Sequence, residues 1–250
     1  MDDLTLLLRT MREAGAIALS FHNRNPKIWN KPDGTVVTEA DIAVDAMLKN
    51  TINQSRPDDG WLCEESEDTP ARLSKSRLWI ADPIDGTRAF SEAREFWGTG
   101  MALIESGQPV MGAIYCPVED VMYHAVKSGG AFSNGQRLPK ADSNGAVIIP
   151  RKLSASMDAA GIASQIGSTL PLLLRFAAVA DGRHAGAVSI GNKNDWDIAA
   201  GHLMVTETGG SVTDQHGQPL VYNKPNPWQL GIVAAQQKWH DGILAAVGKL

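Results

Sequence analysis

Two aspartates three residues apart, Asp82 and Asp85, directly follow a short apolar run at residues 78–81. A strand points successive side chains to opposite faces, and Pro83 and Gly86 interrupt that alternation at its end. The interruption predicts that both carboxylates converge on one point, where they repel each other unless a cation lies between them. Because oxygen ligands with few soft donors nearby suit Mg²⁺, the pattern predicts a magnesium site at the end of this strand.

Glu64 and Asp197 are acidic residues from other segments that could join this site. Glu64 follows the apolar residues 61–63 as Asp82 follows its own run, and two such strands could lie side by side in a sheet. Residues 195–197 open a predicted helix that continues through 198–205, so Asp197 would lie in its first turn and could point into a cleft. Asp195, just before it, suits ordinary helix capping.

Asp41 has two possible roles. It stands three residues after Thr38 and ahead of an amphipathic segment, which is the arrangement of a capping box, so a capping role and a site role both remain open. Gly86 and Thr87 open a further helix, and their amides could hold phosphate oxygens. The Thr87 hydroxyl, bonded to a nearby carboxylate, could orient an attacking water. Together these residues predict metal-assisted hydrolysis of a phosphate ester.

The composition excludes several other classes of protein. The chain has 250 residues, 43% of them hydrophobic, and 23 basic against 28 acidic residues, which disfavours binding to a nucleic-acid polymer. Two cysteines without a CxxC motif suit a reducing cytoplasm, and no apolar run approaches the roughly 20 residues that span a bilayer. The sequence contains no Walker A motif, dinucleotide fingerprint, Gly-x-Ser-x-Gly elbow or HExxH motif.

The periodicity predicts helices on either side of strand-rich segments, in a single catalytic domain over residues 1–250 with approximate lobes at 1–140 and 141–250. An amphipathic helix at 4–21 precedes the helix that Thr38 would cap, and an antiparallel meander at 99–137 contains the Asn134-Gly135 hairpin signal. The second half alternates strands and helices, with strands at 146–149, 187–190 and 231–235 and helices at 172–179 and 198–205.

Three motifs in this order resemble the inositol monophosphatase family over nearly the whole chain. They are Glu-Glu-Ser at 64–66, Asp-Pro-Ile-Asp-Gly-Thr at 82–87, and Trp-Asp-Ile-Ala-Ala-Gly at 196–201 with Glu-Thr-Gly-Gly at 207–210. The resemblance implies an α/β (α+β) fold with a layered αβαβα sandwich of mixed, largely antiparallel sheets. It also implies Mg²⁺-dependent hydrolysis of a small phosphomonoester and, frequently, a homodimer.

The resemblance also implies a role for each matching residue. Metal would be held by Glu64, Asp82, Asp85, Asp197 and the carbonyl of Ile84, with about two or three Mg²⁺ ions per site. Asp41, Thr87 and Glu64 would activate the water, and Gly86 with Thr87 would bind the phosphate. Glu65 and Lys31 would lie just behind the ligands, near the metals.

The substrate is predicted from the segment before the Trp-Asp motif. Inositol-specific members carry an acid there, whereas residues 189–194 of this chain contain no glutamate. Residues 85–90 and 199–202 are closer to the bacterial 3'(2'),5'-bisphosphate nucleotidases, and Lys193 or Arg183 could neutralise a second phosphate or be solvated surface charges. The alternatives are inositol 1-phosphate, histidinol phosphate, fructose 1,6-bisphosphate and, in a different class, a non-catalytic regulator that binds metal or phosphate.

Overall fold

The computed structural model describes residues 1–32, 34–167 and 170–248. Within those ranges the α-helices are α1 (Asp3–Phe21), α2 (Glu39–Ser55), α3 (Thr87–Ser91), α4 (Ser154–Ala159), α5 (Leu172–Ala180), α6 (Ala199–Glu207) and α7 (Gln237–Val247). The strands are β1 (Ile28–Asn30), β2 (Val36–Thr38), β3 (Gly60–Cys63), β4 (Arg77–Asp85), β5 (Gly98–Glu105), β6 (Gln108–Cys116), β7 (Val121–Val126), β8 (Gly130–Ser133), β9 (Gln136–Arg137), β10 (Val147–Ile149), β11 (Ser164–Ile166), β12 (Gly186–Asn194), β13 (Gly210–Thr213) and β14 (Trp228–Gln236). Short 3-10 segments lie at Pro70–Ser74 and Arg151–Leu153.

The strands form two large sheets and one small hairpin. The larger sheet has seven strands in the order β3-β4-β5-β6-β7-β8-β9, and the smaller has five in the order β11-β10-β12-β14-β13. The larger sheet has one parallel pair, β3 with β4. The smaller sheet has two, β10 with β11 and β10 with β12. All other pairs in both sheets are antiparallel. This confirms the predicted mixed, largely antiparallel sheets and the meander.

Alternating side chains of each buried strand face different helical layers. In β4, Trp79 packs among α1 and α2, whereas Ile80 packs among α5 and α6. In β12, Ala187 packs among α5 and α6, whereas Val188 packs among α4 and α7. Each sheet is therefore covered on both faces, which explains why its central strands are apolar runs rather than alternating sequences.

The layers follow the order α1 and α2, seven-stranded sheet, α5 and α6, five-stranded sheet, α4 and α7. This confirms the predicted αβαβα sandwich. The middle helices pack closely, because a Cβ at Gly201 of α6 would lie 2.4 Å from Phe176 Cβ of α5. The predicted boundary at residue 140 falls between the two sheets, and their shared core joins them; the division into one domain with two lobes stays a prediction.

Helix starts agree with the sequence patterns at α1 and α2 but differ at α6. Asp2 accepts a hydrogen bond from the Thr5 amide at the start of α1, and Thr38 with Asp41 forms the predicted capping box of α2. Helix α6 begins at Ala199, so Asp197 precedes the helix rather than lying inside its first turn. Across the three described stretches of the chain, none of the helices is long and apolar enough to cross a bilayer.

Candidate active site

The ends of β3 and β4 bring Glu64 and Asp82 to the same edge of the seven-stranded sheet. The two strands run parallel, with Cys63 opposite Ala81, so the next residue of each strand continues at that edge. Both strands are buried apolar runs, and parallel pairing places their carboxyl ends together. The expectation that two acidic strand ends lie side by side is confirmed.

Asp85 lies beyond a break in the pairing of β4 with β5. The register is regular up to Asp82 and shifts before Asp85, across Pro83, which has no amide to donate. Gly86 then takes a left-handed conformation with φ of 96° and precedes α3. A Cβ there would lie 2.5 Å from Pro171 Cγ, so the turn requires glycine for its backbone angle and for the close approach of Pro171.

Asp82 is a buried carboxylate without enough partners. It is 2% exposed, and among the residues that the structure describes its Oδ1 atom has no hydrogen-bond partner. Burial raises its pKa well above the usual range, and the charges of Glu64, Asp85 and Asp197 raise it further. A buried oxygen of this kind is costly unless a cation or a proton satisfies it.

Asp85 connects the strand end to the middle helical layer. Its Oδ2 accepts a hydrogen bond of 2.6 Å from the Leu173 amide in the first turn of α5. Burial raises its pKa to about 7, although this hydrogen bond and the charge of Arg175 act in the opposite direction. The sequence analysis missed this capping role, since nothing near Asp85 or Leu173 in the sequence indicates it.

Asp197 and Asp195 lie two residues apart but have different surroundings. Asp197 Oδ2 accepts from the Asn194 amide at 3.0 Å, and burial, followed by the charges of Asp85 and Glu64, raises its pKa to about 7. The prediction that Asp195 caps α6 is wrong. Its fully buried carboxylate accepts from Gln229 Nε2 at 2.8 Å, and within the described ranges α6 has no side-chain cap.

Asp41 forms the predicted capping box and also contacts Thr87, while its role in a site stays a prediction. Its Oδ2 accepts from the amide and hydroxyl of Thr38, at 2.8 and 2.5 Å. Its Oδ1 accepts from the Thr87 hydroxyl at 3.0 Å, so the capping acid of α2 is also hydrogen-bonded to the first residue of α3. The Thr87 hydroxyl lies equally close, at 3.0 Å, to the carbonyl oxygen of Ile84. Burial raises the pKa of Asp41.

Lys31 lies beside the ends of β3 and β4. Its ammonium donates to Glu64 Oε1 at 3.0 Å and to Glu65 Oε1 at 2.6 Å. Burial raises the pKa of Glu65 to about 7, against the opposing effect of the Lys31 ammonium. The ammonium thus bridges the two carboxylates, of which Glu65 is the more deeply buried.

Lys193 and Arg183 lie in different surroundings. The Lys193 ammonium donates to the Asn192 carbonyl at 3.0 Å, and its charge lowers the pKa of Asp197. The Arg183 guanidinium forms an ion pair of 2.7 Å with Asp181 and hydrogen-bonds the Tyr123 hydroxyl. Lys193 thus acts electrostatically on the acidic site, whereas Arg183 is held by its own acidic partner.

The donor set suits a hard cation. Glu64, Asp82, Asp85 and Asp197 supply oxygen, and the electrostatic effects on Asp82 show that they act on one another. Throughout the described residues, no three acidic, histidine or cysteine side chains lie together as a metal-ligand cluster. Backbone amides donate to one oxygen each of Asp85 and Asp197, and the Lys31 ammonium donates to one oxygen of Glu64.

A layered αβαβα scaffold with buried carboxylates at the ends of two strands is typical of phosphatases that use acidic side chains in their active sites. The chain matches the inositol monophosphatase family over residues 5–250 and belongs to that family. It is 31% identical to the 3'(2'),5'-bisphosphate nucleotidase CysQ of Escherichia coli K12, in an alignment that covers 84% of this chain and 90% of CysQ. Because the family and these relatives are phosphatases, the protein is a phosphoric monoester hydrolase.

Two further proteins are similar over almost the whole chain. The histidinol-phosphatase of Chlorobaculum parvum is 30% identical, with 98% of this chain and 96% of that protein covered. The extragenic suppressor protein suhB of Bartonella henselae has a TM-score of 0.86 and 27% identity, and the superposition covers 98% of both chains. The family membership and the fold predicted from the sequence are thereby confirmed.

Proposed function

We propose that the protein is a Mg²⁺-dependent phosphomonoesterase in which an activated water attacks the phosphorus of a small phosphate ester. The observation that carries the proposal is the buried Oδ1 atom of Asp82, which has no partner among the described residues and on which the charges of Glu64, Asp85 and Asp197 act. A divalent cation would contact this unpaired oxygen and would also offset the repulsion between the carboxylates.

The metal-binding residues of the proposal are Glu64, Asp82, Asp85, Asp197 and the carbonyl of Ile84, for about two or three Mg²⁺ ions. When bound, Mg²⁺ supplies positive charge that lowers the pKa of water and stabilises charge on the leaving oxygen. Lys31 and Glu65 hold Glu64 in place from the side, since the ammonium bonds both carboxylates.

Thr87 and Asp41 orient the attacking water in this proposal. The Thr87 hydroxyl has a single proton, which it can donate to Asp41 Oδ1 or to the Ile84 carbonyl, each at 3.0 Å. When that proton goes to Asp41, the Thr87 oxygen is left as an acceptor for a proton of the water. Thr38 fixes Asp41 through two hydrogen bonds, so the acceptor is already in position before substrate binds. Glu64 would also help to activate this water, as the family resemblance implies.

The amides of Gly86 and Thr87 bind the phosphate in this proposal. Gly86 has left-handed backbone angles and Thr87 begins α3, so both amides lie at the turn that follows Asp85. Free amides at such a turn donate to anionic oxygens. The reacting phosphate would then lie between these donors and the carboxylates of the strand ends.

The preferred substrate of the proposal is a 3'(2'),5'-bisphosphate nucleotide such as 3'-phosphoadenosine 5'-phosphate. The similarity to CysQ supports it, as does the lack of an acid at residues 189–194. A second candidate is histidinol phosphate, which the similarity to the Chlorobaculum enzyme favours. Inositol 1-phosphate and fructose 1,6-bisphosphate follow as alternatives.

The test is release of inorganic phosphate by the purified protein in Mg²⁺ and in EDTA. We expect kcat/KM for 3'-phosphoadenosine 5'-phosphate to exceed those for histidinol phosphate and inositol 1-phosphate by at least about tenfold, or about 1.4 kcal/mol in transition-state binding. A higher value for another ester would refute the nucleotide assignment alone. Absence of Mg²⁺-dependent hydrolysis of every ester would refute the enzyme and favour a non-catalytic regulator.

The proposal includes a homodimer in a reducing cytoplasm. The family resemblance supports the dimer, and Cys63 and Cys116 are both unpaired and buried, as suits a reducing compartment. Light scattering on the purified protein checks the dimer, and a mass of one chain would contradict it.

A further inference from the structure

A cleft of about 410 Å³ borders the turn that follows Asp85. Gly86 forms part of its wall, α3 and the residues just after it form one side, and residues 170–175 form the other. Its lining residues are Gly86, Arg88, Ala89, Glu92, Arg94, Leu170, Pro171 and Arg175. The cleft therefore adjoins the proposed phosphate-binding turn and extends away from it along α3.

The charged side chains of this cleft are three arginines and one glutamate. Arg94 pairs with Glu92 at 2.7 Å, in an exposed ion pair that is worth little and is readily exchanged for a stronger anion. The exposed Arg88 guanidinium has no hydrogen bond or ion pair to any other described residue. This positive surface stands out on a chain whose formal net charge is −5, and it suits a phosphate group.

Arg175 is hydrogen-bonded to the backbone on its own side of the cleft. Its Nε donates to the Leu170 carbonyl at 2.6 Å and its Nη2 donates to the Gly167 carbonyl. Pro171, on the same side, is the residue nearest to a Cβ built at Gly86. Because the Arg175 guanidinium already has these partners, Arg88 and Arg94 are the arginines of the cleft that are better placed to bind an anion.

We propose that this cleft binds the second phosphate of a bisphosphorylated substrate, with Arg88 and Arg94 as its ligands. The inference rests on the proposed function, since the first phosphate would occupy the Gly86-Thr87 turn at the inner end of the cleft. A guanidinium binds phosphate through two parallel hydrogen bonds, so two arginines suit one phosphate group. Arg183, which the sequence analysis considered for this role, is already paired with Asp181.

The proposal makes Arg88 and Arg94 determinants of substrate specificity. A monophosphate ester reaches the turn and the acids but places nothing in the cleft. A bisphosphate gains the additional contacts, so its advantage in kcat/KM over the matching monophosphate measures the cleft directly.

The test compares 3'-phosphoadenosine 5'-phosphate with adenosine 3'-monophosphate, which has the same reacting phosphate and lacks the second one. We expect Arg88→Met and Arg94→Met each to lower the ratio of kcat/KM for the bisphosphate to kcat/KM for the monophosphate by at least about tenfold. Arg88→Lys keeps the positive charge and should lower this ratio less. Arg183→Met is the matched control and should leave the ratio unchanged.

A ratio within about twofold of the wild-type value in both Arg88→Met and Arg94→Met would overturn the assignment. A fall of the ratio in Arg183→Met alone would overturn it as well and would place the second phosphate beside Tyr123. Failure of the wild-type protein to hydrolyse either nucleotide would instead refute the proposed nucleotidase function, and the cleft assignment with it.

Discussion

The Thr87 hydroxyl is the most informative group to remove. Its hydrogen bond to Asp41 is proposed to be needed for catalysis, whereas the fold should survive its loss. In Thr87→Ala the first residue of α3 keeps a good helix former, and Asp41 keeps both hydrogen bonds from Thr38. The variant should therefore fold, with the acids of the site in their original places.

Two effects of different size are expected. Asp41 is 1% exposed, so loss of one donor to its Oδ1 should reduce the free energy of unfolding by about 1–3 kcal/mol. Loss of an oriented proton acceptor should lower kcat by about 10²-fold or more, or at least about 2.7 kcal/mol in the activation free energy. The effect on kcat should persist at temperatures where the variant is fully folded.

The assay is steady-state phosphate release in Mg²⁺ at 25 °C, with thermal unfolding followed by circular dichroism. Thr87→Ser restores the hydroxyl and should recover most of kcat. Ser91→Ala is the matched control, because it removes a hydroxyl that bonds the Arg88 carbonyl at the other end of α3. A kcat for Thr87→Ala within about threefold of wild type would refute the relay and leave the Thr87 hydroxyl with a structural role only.

Two further predictions concern the metal-binding acids. Asp85→Asn should abolish Mg²⁺-dependent turnover without unfolding the protein, since an amide oxygen can still accept from the Leu173 amide; near-normal phosphate release would contradict the metal assignment. The pKa values of Asp85 and Asp197 are raised to about 7, above the unfolded value of about 3.9, so the stability that these two groups contribute to the metal-free protein should be fully present below about pH 4 and lost as the pH rises through 7. Scanning fluorimetry should therefore show a larger Mg²⁺-induced rise in Tm at pH 8 than at pH 5, and equal rises would count against these shifts.

Local patterns in the sequence predicted the parts of the site that depend on neighbouring residues. The capping box of Thr38 and Asp41 spans four consecutive residues, and the turn at Gly86 follows from Pro83 and the left-handed angle that glycine permits. The αβαβα layers were predicted through the family resemblance, and the structure shows their physical basis in strands that are apolar on both faces.

Features that depend on distant pairing were not predictable in the same way. Residues 191–194, Gly-Asn-Lys-Asn, are typical of a loop, yet they continue β12 because Asn194 pairs with Trp228 of β14. Asp195 has the position of a helix cap but bonds Gln229 from that same strand β14. In both cases sheet pairing outweighs local propensity, which is a weak determinant near the end of a strand.

The hydrogen bond between Asp85 and Leu173 has a consequence for the order in which the protein acquires its activity. It closes a loop of 88 residues and joins the end of β4 to a helix of the central layer. Loop closure over such a distance costs entropy before packing offsets it, so this contact belongs to the later steps of folding. During synthesis on the ribosome, helices α5 and α6, which cover one face of the seven-stranded sheet, and Asp197 emerge after all seven strands of that sheet. If Asp197 is a metal ligand as proposed, the site would therefore be completed only after the central helical layer has been made.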